Sequence, residues 1–200
     1  RLLKAPSNQR GRDFAIMLAA FNQLGYSVEW RVINAADYGR AQRRRRVFFF
    51  VFRNDTKWGE RLHTKYEATL SNDADLNARL DCYAPYIFED GLFGRQFPVK
   101  NEAIKKRINA NKLDEDIAEV SANFSDGKMW NSGLMTNGYY YTIETEPKGD
   151  EEPIPMKKIV VKENQVPEDY YVDGEKLEKF KYLRGPKKIT RTAANGHTYT

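Results

Sequence analysis

The chain has 200 residues, 40% of them hydrophobic and 30% charged, enough for one large domain or two small ones. No apolar run approaches the roughly 18 residues of a membrane span, residues 1–7 lack the apolar stretch of a secretory leader, and the single cysteine, Cys82, excludes an internal disulfide framework. The net charge of +5 is uneven: residues 1–53 hold 11 Lys/Arg against 3 Asp/Glu and the remainder 22 against 25, which suggests a localised polyanion contact at the front.

Phe14, Leu18, Phe21 and Leu24 recur on one helical face, with Ser7 as candidate N-cap and Gly25 where a C-terminal glycine belongs. Val28-Glu29-Trp30-Arg31-Val32-Ile33 alternates with period two and predicts a half-buried strand. A loop at 34–41 contains Asp37-Tyr38-Gly39. Gln42 and four arginines then lead into Val47-Phe48-Phe49-Phe50-Val51-Phe52, an unalternating apolar run that predicts a strand covered on both faces. One helix and two strands make only an edge of an α/β sheet, so part of that sheet is expected to be missing.

Composition changes after Arg53, which sets a boundary near residue 54. Residues 56–79 are polar, with Leu62, Tyr66, Leu70, Leu76 and Leu80 loosely at helical spacing, and 85–98 read as irregular. Residues 101–111 predict a short helix carrying Ile104 and Ile108, and Leu113, Ile117, Val120 and Phe124 fit another helical face. Asn137-Gly138 between Leu134-Met135-Thr136 and Tyr139-Tyr140-Tyr141-Thr142-Ile143 is a strong hairpin signal, and Asn195-Gly196 between residues 189–192 and 197–200 is a second. Residues 144–155, rich in Pro and acid, read as a mobile surface loop, and 175–184 as a helix stopped by Gly185-Pro186. The fold class is therefore α/β over 1–53 followed by α+β over 54–200.

The informative stretch is Asp37-Tyr38-Gly39 … Gln42-Arg43-Arg44-Arg45-Arg46-Val47. A run of four arginines fits a solvated face or a basic tag. Here, though, it leads without a break into a strand, so alternate guanidinium groups are held on a rigid element. Such groups suit bidentate contact to phosphate or a base edge. His63 and His197 have no partner at ligand spacing, so no metal site is expected. Cys82, in Asp81-Cys82-Tyr83, reads as a small buried hydrophobe.

This block resembles the Gln-Arg-Arg-x-Arg motif of DNA (cytosine-5)-methyltransferases. The preceding Arg1-Leu2-Leu3, Arg10-Gly11-Arg12-Asp13-Phe14 and Asn34-Ala35-Ala36-Asp37-Tyr38-Gly39 are similar to the family's helix and strand after its Glu-Asn-Val motif. Arg40 stands where an apolar residue is usual and Ala41 where Pro is frequent. Residues 124–142 and 182–200 resemble target-recognition segments of some bacterial members. The resemblance implies that 1–53 are the end of an S-adenosylmethionine-dependent catalytic domain, the edge of a methyltransferase-type sheet. It makes 54–200 an irregular, mixed target-recognition domain.

By the same resemblance, Arg44 and Arg46 contact a cytosine flipped from the duplex and its phosphate, and Gln42 shapes the loop. Candidate DNA contacts are Arg43, Trp130, Asn131, Ser132, Thr136, Asn137, Thr190, Arg191 and Thr192. The implied partner is double-stranded DNA, with no membrane, in the cytoplasm of a bacterium with a restriction-modification system. No Pro-Cys-Gln, Glu-Asn-Val or Gly-rich cofactor turn is present. The chain thus reads as cut just after Glu-Asn-Val and before the final cofactor-side motifs. It is expected to be inactive alone, to bind no S-adenosylmethionine, and to self-associate along the apolar edge at 47–52. The alternative is a non-catalytic, sequence-specific DNA-binding module.

Overall fold

The computed structural model describes residues 2–71, 73–100, 107–114, 116–125, 128–184, 191–192, 196 and 198–199. Helix α1 (Arg12–Gln23) starts later than expected: Gly11, in a left-handed conformation at φ 98°, occupies the N-cap position, not Ser7. The buried face is Phe14, Ala15, Leu18 and Ala19, whose small alanines let the helix approach the sheet. Leu24 lies beyond the last turn and is 71% exposed, whereas Gly25, at φ 76°, closes the helix as expected.

Strand β1 (Tyr26–Asn34) runs antiparallel to β2 (Arg45–Arg53), Tyr26 facing Arg53 and Asn34 facing Arg45. Both burial expectations are corrected here. β1 is covered on both faces, Glu29 and Arg31 included. β2 is an edge strand of the described sheet, with Phe52 buried and Phe48 47% exposed. Its inner rings lean on α1 through Phe14–Phe49 at 5.6 Å and on Trp58 through Phe50–Trp58 at 5.1 Å.

Helix α2 (Lys57–Tyr66) is capped by Thr56, whose hydroxyl accepts from the Gly59 amide, and α3 (Leu76–Pro85) by Asp75, which accepts from the Ala78 amide at 2.8 Å. Residues 85–98, read as irregular, hold a π-helical turn (Tyr86–Asp90) and α4 (Leu92–Gln96). The helix expected at 101–111 is also corrected: 101–106 lie outside the described residues, and Ile108–Lys112 form strand β3. Helix α5 (Ile117–Asn123) follows, with Val120 buried. Strands β4 (Ser132–Thr136) and β5 (Tyr139–Ile143) form the expected hairpin, Asn137 and Gly138 adopting φ 46° and 77°.

The sheet order is β2-β1-β4-β5-β3, antiparallel throughout. The structure is thus mixed α/β, and this five-stranded sheet receives strands from both sides of residue 54. Period-two alternation divides the core. Trp30, Met135 and Tyr140 pack with α1 and α5, and Leu134, Tyr141 and Phe52 with α2 and α3. The segment at 144–155, read as mobile, is pinned: Thr145 is buried, Val99 bridges Pro147, and the Ile154 amide donates to the Gly39 carbonyl at 2.9 Å.

Residues Lys157–Thr200 form a second unit. In it, helix α6 (Gly174–Arg184) covers the expected 175–184 segment, and β6 (Arg191–Thr192) pairs with β7 (Thr198–Tyr199). Asn195 and most of the expected second hairpin lie outside the described residues. No helix among the described residues is long and apolar enough to cross a membrane.

Candidate nucleic-acid interface

The loop before β2 is built by local bonds. A 3-10 turn (Ala35–Tyr38) is stabilised by the Asn34 side-chain amide, which donates to Asp37 at 2.8 Å. Gly39 then turns the chain at φ 71°, a conformation suited to glycine, and a Cβ there would meet the Glu152 carbonyl oxygen at 3.0 Å. Tyr38 packs edge-on against Phe97 at 5.1 Å and its hydroxyl donates to the Phe97 carbonyl at 3.4 Å. Burial raises the Tyr38 pKa, opposed by Arg31.

From this anchored loop the arginines enter the sheet. Arg45 and Arg46 are in register with Asn34 and Ile33, and Arg43 and Arg44 lead in. All four are exposed, and among the described residues none is ion-paired with a carboxylate. Alternation sends Arg44 and Arg46 to one cleft, of about 290 Å³, which Gln42, Tyr38, Gln96 and Phe97 also line. A larger cavity, of about 710 Å³, is lined by Arg45, Trp130 and Asn131, with Arg46 reaching both.

Under these clefts lies a device that alternation alone could not reveal. Glu29 is buried with both carboxylate oxygens committed: it accepts from the Leu92 amide at 2.8 Å and the Phe93 amide at 2.9 Å. Two residues on, buried Arg31 donates to the carbonyls of Phe93 at 3.0 Å, Phe97 at 2.7 Å, and Ile87. The acid thus meets the N-terminal amides of α4, and the base ties together carbonyls of the π-helical turn (Ile87), of α4 itself (Phe93) and of the residue just past it (Phe97). Burial raises the Glu29 pKa above the ordinary value of 4.5, although the Phe93 amide and Arg31 oppose it. Burial lowers that of Arg31, which Glu29 opposes. The pair thereby fixes Gln96 and Phe97 at the smaller cleft.

The other candidates divide by environment. Trp130 is half-buried; its carbonyl accepts from Trp30 Nε1 at 3.2 Å, and the residue borders the larger cavity. The Asn131 side chain is bonded twice to Thr145, donating to its carbonyl and accepting from its amide, each at 2.8 Å. Ser132 and Thr136 are buried: the Ser132 hydroxyl meets Thr145 Oγ1 at 2.6 Å, and Thr136 Oγ1 accepts from Ser27 at 2.9 Å. Asn137 is exposed at the hairpin tip and its amide contacts Glu67. Thr192 is exposed on β6 in the second unit, as part of which Arg191 is also found, and Thr190 lies outside the described residues. Cys82 is held in α3 with its thiol donating to the Tyr66 carbonyl at 3.0 Å. Among the described residues no cluster of His, Cys, Asp and Glu could hold a metal ion.

No solved structure matches the chain. It is 45% identical over 199 residues to Type II methyltransferase M.Sau3AI of Staphylococcus aureus, an alignment that covers 100% of this chain and 43% of that relative. Type II methyltransferase M.HhaI of Haemophilus parahaemolyticus is 39% identical over 49 residues, 24% of this chain and 15% of that protein. Type II methyltransferase M.NlaIV of Neisseria lactamica is 40% identical over 45 residues, 22% of this chain and 11% of that protein. The chain thus spans less than half the length of the relative that it matches from end to end. The family model of C-5 cytosine-specific DNA methylases matches residues 3–194, and with nearly every residue inside that match the chain belongs to this family.

Proposed function

We propose that this chain is the DNA-gripping part of a DNA (cytosine-5)-methyltransferase, an enzyme that transfers a methyl group from S-adenosylmethionine to carbon 5 of cytosine at a specific site in double-stranded DNA. Residues 1–53 would close its catalytic domain and 54–200 would form its target-recognition domain, acting in the cytoplasm. The observation that carries this reading is the pair Arg44, in the segment that leads into β2, and Arg46, on β2 itself, guanidinium groups with no carboxylate partner among the described residues, lining one cleft with Gln42.

In that cleft the two arginines hold the flipped cytosine and its phosphate through charge-assisted bonds. Gln42 shapes the approach, and exposed Arg43 meets the DNA backbone. Trp130 and Asn131 border the larger cavity, where Trp130 contributes a flat face. Asn137, Arg191 and Thr192 are the remaining candidates for base edges, with Thr190. Ser132 and Thr136 support β4 from within. The residues at both clefts do not fit S-adenosylmethionine: its sulfonium is cationic, and the free charges here are predominantly guanidinium and ammonium. No step is therefore assigned to that cofactor on these residues.

The test is methyl transfer by the complete polypeptide on mixed-sequence DNA, mapped by site. Replacing Arg44 or Arg46 with Ala removes bonds worth about 1.5–3 kcal/mol, which predicts a loss of about 10- to 100-fold in kcat/KM. A protein that binds DNA specifically but never methylates it is a recognition module. Activity untouched by both substitutions removes the proposed grip.

A further inference from the structure

The larger cavity collects more positive charge than the arginine run supplies. Lys4 comes from the 3-10 turn Leu2–Lys4, Arg10 from the turn before α1, Arg45 from the start of β2, and Lys128 from the connection before β4. Four separate segments converge on one concavity, a pattern that a solvated basic run does not produce. All four cations are exposed, and among the described residues none is ion-paired with a carboxylate. Of the two carboxylates at the cavity, Asp37 accepts from Asn34, and Glu144 is paired with Arg107.

The lining is not only charged. Trp130 lines the same space, Lys128 stands over its ring at 5.7 Å, and Leu2, Leu3 and Met129 add apolar wall. A volume of about 710 Å³ falls among sites that enclose a small molecule, about 300–1,000 Å³. A simple anion would use the charges and leave the wall idle. A nucleotide uses both, its phosphate on the cations and its base on the aromatic face.

We propose that this cavity is a second nucleotide-binding site, which takes a phosphodiester group and one base face from the DNA strand flanking the Arg44–Arg46 cleft. Arg46, which borders both spaces, is the point at which the strand passes from one to the other. The inference rests on the reading that the chain grips DNA. It adds Lys4, Arg10, Arg45 and Lys128 as phosphate contacts.

The experiment is fluorescence anisotropy of a labelled mixed-sequence duplex with the complete polypeptide across a salt series, matched thermal melts confirming the fold of each variant. Removing one cation that neutralises a phosphate lowers the slope of log affinity against log salt by about one. Lys4→Ala and Lys128→Ala are each expected to do so, with equal weakening across sequences. Lys148→Ala, at an exposed residue paired with Asp150, serves as the control that leaves the slope unchanged. A slope that neither cavity variant moves overturns the second site. In that case the DNA reading stands if Arg44→Ala still lowers the slope. It falls, and this inference with it, if wild-type binding ignores salt.

Discussion

Gly133 sits directly beneath the Trp30 indole. A Cβ there would come within 2.2 Å of the ring and 2.4 Å of the Tyr141 carbonyl oxygen, in a central strand with no room to shift. Overpacking of this kind costs about 1–3 kcal/mol, so Gly133→Ala should lower the thermal midpoint markedly, and an unchanged melt would contradict the fit. Glu29 gives a pH signature. Its raised pKa means that the folded chain holds this proton more tightly than the unfolded chain, so folding takes up a proton. The associated stability is complete below the ordinary value of 4.5 and is lost as pH climbs through the folded value. Glu29→Gln should flatten that fall, as read from urea midpoints between about pH 4 and about pH 8. Arg44 and Arg46 are legible in the sequence because a cationic run entering a strand can be recognised locally. The buried roles of Glu29 and Arg31 are not. Apolar-polar alternation has one pattern whether its polar face meets water or the two ends of a short helix.

Elements made by local chemistry are the readable ones. The β4–β5 turn follows from Asn137-Gly138, because only residues tolerant of positive φ close so short a connection. At Gly138 the space around an added Cβ is open apart from Asn22 Nδ2 at 3.8 Å, so the penalty is conformational. Gly138→Ala should cost about 1–2 kcal/mol by denaturant unfolding, and a neutral result would mean that the turn relaxes. Strand β3 is hidden for the opposite reason. Its pairing partner, β5, lies about thirty residues away, Ile108 facing Ile143 and Lys112 facing Tyr139, and no local pattern announces that contact. Strand β2 is visible in the sequence, but its cover is not. An unbroken Phe/Val run states that a strand is apolar, and says nothing about whether a neighbour pairs along its far edge.

At the scale of the molecule, that far edge matters. Along β2 the described sheet ends in backbone groups open to pairing, beside a Phe48 ring nearly half exposed. Such an edge invites association. The chain is expected to sediment as a concentration-dependent oligomer, and Phe48→Lys to shift it toward monomer; a strictly monomeric wild type would remove this expectation. Composition places a boundary at residue 54, yet β1 pairs with β4 across it in one sheet. Composition marks a change of surface, whereas hydrogen-bonded strands mark what moves together.

The acid and base at positions 29 and 31 have a practical corollary for anyone building chimaeras. The short helix that they hold belongs, by numbering, to the proposed target-recognition region, while its two fasteners sit on β1, in the proposed catalytic part. A transplant of residues 86–97 alone would arrive without its mounting; carried with both fasteners, it should seat in the host at its original angle.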